Sequence, residues 1–136
     1  MSLFEKQSDN KKGNEKMIEI LPESQGNTLG VKASGKVTDQ DYKEILIPAA
    51  DKLLAEHGRG RLLYYLSREF KGFELGAILD DVKYAGKHSD KFDKIALVGG
   101  PRWINQTANI VKHFVKAEMK EFTDEQLAEA WVWVRS

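Results

Sequence analysis

Two adjacent aspartates, three histidines, one serine and a glycine pair are the residues of this chain whose types could do chemistry. Asp80-Asp81 offers two carboxylates, the raw material of a metal site or an acid–base pair. Neighbouring residues on a helix point about 100° apart, so these two do not converge on one ligand, and a solvated pair is the simpler reading. His57, His88 and His113 are far apart in sequence and show no HExxH spacing, which leaves no metal motif. Gly99-Gly100, at a strand-to-helix turn, could admit an anion to a helix N-terminus, but the chain has neither GxGxxG nor a P-loop lysine there. There is no GxSxG and no cysteine to support covalent catalysis. No cluster specifies a reaction or a cofactor, and the expectation is a protein that binds rather than catalyses.

The binding candidates are aromatic. In Phe70-Lys71-Gly72-Phe73-Glu74-Leu75-Gly76-Ala77, two phenylalanines stand among two glycines directly after an apolar strand. Either Phe70 and Phe73 plug the end of the core, or Gly72 and Gly76 make the segment a mobile flap over a ligand or partner. In the helix that follows, Leu75, Ile78, Leu79 and Val82 share one face, which predicts that they seat it on a sheet. Phe73, Ala77 and Tyr84 then fall on the opposite side, with Lys83, Lys87 and Lys91 beside them. Such a strip suits an apolar ligand, a membrane surface or a partner helix, with the lysine stems lying along it. Trp103 is either a ligand wall or the anchor of its helix. Of the two tryptophans in the last helix, Trp131 shares a stripe with Leu127 and Ala130 and is expected inside, leaving Trp133 outside.

Composition narrows the partners. Lysine plus arginine equals aspartate plus glutamate, 21 each, so no global field attracts nucleic acid. The expected partners are an apolar small molecule, a lipid or a protein, with peripheral membrane contact and a homodimer as open possibilities. The absence of cysteine suits a reducing cytoplasm. No apolar run approaches the roughly 20 residues that span a bilayer.

These candidates need a scaffold, and periodicity supplies it. Residues 1–16 read as a flexible polar tail, since 5–16 carry no apolar side chain, and 17–136 as a single domain. Strands are expected at Met17–Leu21, Thr28–Ser34, Leu62–Leu66, Lys94–Val98 and Met119–Phe122. Thr38 with Asp41 and Thr123 with Gln126 form capping boxes that open helices. The first of these runs to about His57, with Tyr42, Ile45, Leu46, Ala49 and Leu53 inward and a kink near Glu44–Ile47 imposed by Pro48. Further helices run from Phe73 or Leu75 to Lys87 and from Pro101 to about Val115. Trp103, Thr107, Ile110, Val111 and Phe114 are the expected inner stripe of the latter. The uninterrupted Ile95–Val98 run predicts a strand covered on both faces, hence an α/β sandwich.

The order β-β-α-β-α-β-α-β-α resembles the STAS domain. Phe92-x-Lys94-Ile95-Ala96-Leu97-Val98-Gly99, Trp103, Ala117-Glu118-Met119-Lys120-Glu121-Phe122 and Ala130-Trp131-Val132 resemble the SpoIIAA-like family across about residues 17–134. The resemblance implies a five-stranded mixed sheet with four main helices, related in shape to lipid-carrying domains of the CRAL-TRIO type. In STAS antagonists an Asp-Ser pair after the third strand carries a phosphoserine switch. This chain has Leu66-Ser67-Arg68-Glu69 there, so the resemblance does not bring the switch with it. A regulatory protein-interaction module without that switch is the alternative to a ligand-binding domain.

Overall fold

The computed structural model describes residues 16–136 apart from Ser89 and Phe114. The expected polar tail therefore lies outside the described residues, save for Lys16.

Five strands form one sheet in sequence order: β1 (Ile18–Ile20), β2 (Thr28–Val37), β3 (Gly60–Phe73), β4 (Phe92–Gly99) and β5 (Glu118–Phe122). β1 is antiparallel to β2, because the connection between them is a tight turn, and every other pairing is parallel. Helices make the crossovers. α1 is continuous but built of three stretches, Asp39–Asp41, a π-helical turn at Tyr42–Leu46 and Ile47–His57. α2 is Leu75–His88, α3 is Arg102–Val111 and α4 is Leu127–Arg135. The fold is the expected five-stranded mixed α/β architecture with four main helices. No described helix is long and apolar enough to cross a membrane.

Local chemistry accounts for the element ends. The Thr38 side chain accepts from the Asp41 N–H at 3.0 Å, and Asp41 Oδ2 accepts from the Thr38 N–H at 2.8 Å. Gln126 Oε1 accepts from the Thr123 N–H at 2.9 Å. Pro48 takes effect where the sequence places it, but as a wide turn: the Ile47 N–H reaches back to the Tyr42 carbonyl, and α-helix resumes around the proline. Gly99 and Gly100 have φ of 75° and 91°, and a Cβ on Gly99 would stand 2.5 Å from the Leu66 carbonyl oxygen. Glycine is required there by the backbone.

The sheet has two unlike faces. Tyr64, Leu66, Val31 and Ala33 point to the side covered by α1, α2 and α3. Leu63, Ala96, Val98 and Phe122 point to the side covered by α4 alone, against Ala130, Trp131 and Val134. Trp131 is buried as expected, while Trp133 is half-buried, held between Phe122 and the cations of Lys94 and Lys120.

Three expectations are corrected. The first concerns the flap, since 70–73 is strand: β3 runs on to Phe73, pairing Phe70 with Gly35, Gly72 with Lys36 and Phe73 with Val37 across an irregular register. Gly72, at φ 132°, serves that irregularity.

The second concerns α2, which is rotated by about half a turn. Leu75, Ile78, Leu79 and Val82 are 72, 45, 51 and 61 % exposed, whereas Ala77 is fully buried and Phe73 and Tyr84 pack on the core. The physical reason is a polar seam with α1. Tyr84 donates to Asp51 Oδ1 at 2.9 Å and Tyr42 donates to Asp81 Oδ1 at 3.0 Å. Gly76 lets the helices close up, since a Cβ there would meet Asp39 Cβ at 2.9 Å.

The third concerns α3. Among its described side chains Ile104 and Ala108 are buried, and Trp103 is half-exposed rather than part of an inner stripe, while Thr107, Ile110 and Val111 lie outside the described side chains. Phe114 lies outside the described residues.

Candidate functional site

Between the sheet and α1–α3 lies a cavity of about 200 Å³. The sheet supplies Leu62, Tyr64 and Leu66 of β3, Ile95 and Leu97 of β4 and Met119 of β5. These positions alternate along each strand, as one face of a sheet requires. The helices supply Leu46, Ala50, Ala85, Ile104 and Ala108, and Phe73 closes the side where β3 ends. The three alanines are part of the explanation, because short side chains between a sheet and its helices leave space unfilled.

Four polar side chains reach this apolar space: Tyr42, Tyr64, Asp81 and Tyr84. The hydroxyls of Tyr42 and Tyr64 stand 3.1 Å apart, and that of Tyr42 lies 3.0 Å from Asp81 Oδ1. Tyr42 sits on the π-helical turn, a local irregularity that often marks functional positions. Asp81 is an exposed residue that borders the cavity, with one carboxylate oxygen turned to the Tyr42 hydroxyl. Burial pushes its pKa above the usual carboxylate range, against the opposing effect of the Tyr42 hydroxyl. Burial likewise raises Tyr64, and raises Tyr42 well above the ordinary phenol, with the neighbouring Asp81 charge adding to it. Both phenols therefore carry their protons at neutral pH.

The sequence-derived candidates divide into four groups. Phe73 and Tyr84 line the cavity. Ala77, fully buried, belongs to the core beneath α2. Phe70 is stacked edge-on to Phe73 at 5.0 Å and lies 6.4 Å from Trp103, which places both at the outer end of the aromatic cluster rather than on the cavity wall. Lys83 and Lys87 are exposed on α2, beside the apolar stripe that faces outward. Tyr84 also stacks on His88, with ring centroids 4.1 Å apart.

Sequence reasoning missed Tyr42, Tyr64 and Asp81 as a group. Asp81 is exposed, as the solvated reading has it, but its carboxylate also accepts from the Tyr42 hydroxyl. A signal was present. Tyrosines in core-facing positions of α1 and β3 need partners for their hydroxyls, and a carboxylate is a strong one.

A second, polar concavity lies at the C-terminal ends of β3 and β4, lined by Ser67, Arg68, Gly99, Gly100, Glu121 and Asp124 among others. Its acidic residues make a poor anion site, and Arg68 is engaged by Asp124 at 2.8 Å. Ser67 is buried on a strand, 2.9 Å from the Ser34 hydroxyl, and not at a helix N-terminus. Among the described residues no group of three or more His, Cys, Asp or Glu is placed to hold a metal.

Comparison with known proteins agrees with the geometry. The SpoIIAA-like family model matches residues 28–135. A protein of the DUF3478 family from Shewanella loihica PV-4, with a SpoIIAA-like fold, is similar in structure at 27 % sequence identity and a TM-score of 0.68. The match covers 86 % of this chain and 93 % of that one. A search of curated proteins finds no match. The fold is typically non-enzymatic and supports a binding or interaction domain. On the match to most of its length and on the architecture described above, this chain belongs to the SpoIIAA-like family.

Proposed function

We propose that this protein is a non-enzymatic carrier or sensor of a small apolar ligand, held between the sheet and α1–α3 and covered by α2. One observation carries the reading: the cavity of about 200 Å³, walled by leucine, isoleucine, alanine, phenylalanine and methionine. An apolar cavity of about 150 Å³ is large enough to take up benzene. Empty space of this kind costs stability, roughly in proportion to its volume, so a ligand that fills it recovers contacts that the lining residues otherwise lack. α2 suits the role of cover because polar groups hold it to α1, and hydrogen bonds exchange with water at less cost than a buried apolar contact.

The test is mass spectrometry of an organic extract of the protein purified without detergent, beside an Ala108→Leu variant that narrows the cavity. The reading expects a stoichiometric apolar compound from the wild type and its loss from the variant. Equal yields from both, or nothing from the wild type, contradict it.

A specific observation favours a second reading alongside it. Leu75, Ile78, Leu79 and Val82 form an apolar stripe on the outer face of α2, with Lys83 and Lys87 beside it. Such a face suits contact with a partner protein, a second copy of the chain or an anionic membrane surface. Flotation with vesicles containing phosphatidylserine, and sedimentation without them, separates these outcomes. A monomer that ignores vesicles and behaves as its Leu79→Ser, Val82→Ser variant does would remove this reading.

A further inference from the structure

We propose, building on the apolar-cavity reading, that the cavity selects an apolar molecule whose head donates a hydrogen bond, an alcohol, over the carboxylate of the same body. The argument is an account of protons. An ionised carboxylate only accepts hydrogen bonds, and a phenol has one proton to give. The Tyr42 hydroxyl gives its proton to Asp81 Oδ1 at 3.0 Å. Its 3.1 Å bond with Tyr64 must therefore be donated by Tyr64. The chain runs one way, Tyr64 to Tyr42 to Asp81, and each donor in it is spent. Tyr84, the remaining polar side chain on the wall, gives its proton to Asp51.

Among the described residues, then, the side chains lining the cavity offer acceptors and no free donor. The lone pairs of Tyr64 and the second oxygen of Asp81 are the open positions. An alcohol supplies the missing proton and lays its apolar body against Leu46, Ile95 and Ile104. A carboxylate finds no donor among these side chains and meets the like charge of Asp81, which repels it. A hydrocarbon fits the space but satisfies nothing.

Isothermal titration of the full chain near neutral pH with benzyl alcohol, benzoate and toluene tests this, because the three share one ring and differ in the head. Benzyl alcohol is expected to bind tenfold or more tighter than benzoate, about the worth of one hydrogen bond to a charged group. Asp81→Asn removes the charge and introduces a donor, and should shrink that ratio severalfold in a protein whose circular dichroism matches the wild type. If the variant does not fold, the wild-type ratio alone decides. Benzoate binding as tightly as benzyl alcohol, with toluene also binding, overturns the selectivity and leaves the cavity reading intact. No binding by any of the three overturns both. An unchanged ratio in a folded Asp81→Asn protein shows that this carboxylate is not its source, and likewise overturns the proposal.

Discussion

The two faces of the sheet bury similar side chains to different ends. Under α4, Trp131 lies so close to β2 that Gly30 is the only residue that fits, since a Cβ there would stand 2.3 Å from the indole ring. Leu63, Ala96, Val98 and Val134 fill the rest. Under α1–α3 the strands present equally apolar residues, but Ala50, Ala85 and Ala108 face them across a gap, and tyrosines and an aspartate reach into it. One face is filled by its helix and the other keeps a cavity. The difference lies in the helices, because β3 and β4 supply alternate residues of the same strands to both.

The largest expected break in this comparison is Trp131→Ala. Losing a buried tryptophan from the filled face should cost roughly 3–5 kcal/mol in urea unfolding. It should leave ligand affinity on the opposite face unchanged if the variant folds. Gly30→Ala should cost about 1–3 kcal/mol by the same measurement, through overpacking against the ring. Even a larger enlargement on the hollow face should have the opposite sign. Ala108→Leu is expected to raise stability by about 0.5–2 kcal/mol while weakening ligand binding. A loss as large as that of Gly30→Ala would mean that the cavity is not available space.

The pH dependence sharpens the contrast further. The folded-state pKa of Asp81 is raised, so the folded protein favours its protonated form more than the unfolded chain does. Its contribution therefore worsens as pH rises from the unfolded value of 3.8 through the folded one, and is constant above that. Tyr42 and Tyr64 face it from α1 and β3 and stay protonated across this window. Asp81→Asn should thus gain stability relative to wild type at neutral pH and lose the advantage below about pH 4, as followed by thermal melting across a pH series. The smallest effect belongs to the outer stripe of α2. Leu79→Ser with Val82→Ser should change stability by no more than about 0.5 kcal/mol, because both residues face solvent.

The scaffold was legible because its signals are local and mutually consistent. The Ile95–Val98 run, the capping boxes at Thr38 and Thr123, and the helix end near His57 each stand where an element begins, runs or ends. α2 misled because hydrophobic periodicity assumes that the apolar stripe is the buried one. Here Tyr84 and Asp81 find partners on Asp51 and Tyr42, and those long-range pairs, with the close approach at Gly76, outweigh the stripe. Pairings between residues about forty positions apart leave no mark on local spacing. The site inherited that error in part. Phe73 and Tyr84 were picked out for facing outward, and they line the cavity because they face inward. Asp81 was set aside on the geometry of adjacent helix positions, which says nothing about a phenol arriving from another helix.

The central claim is that one face of the sheet is hollow and takes an apolar guest. Titration with toluene, followed by the methyl resonances of a carbon-13-labelled protein, tests it most directly. The account predicts saturable shifts at Leu46, Ile95, Leu97, Ile104 and Met119, with Leu63, Val98 and Val134 unmoved. Shifts of equal size on both faces, or none that saturate, would contradict it.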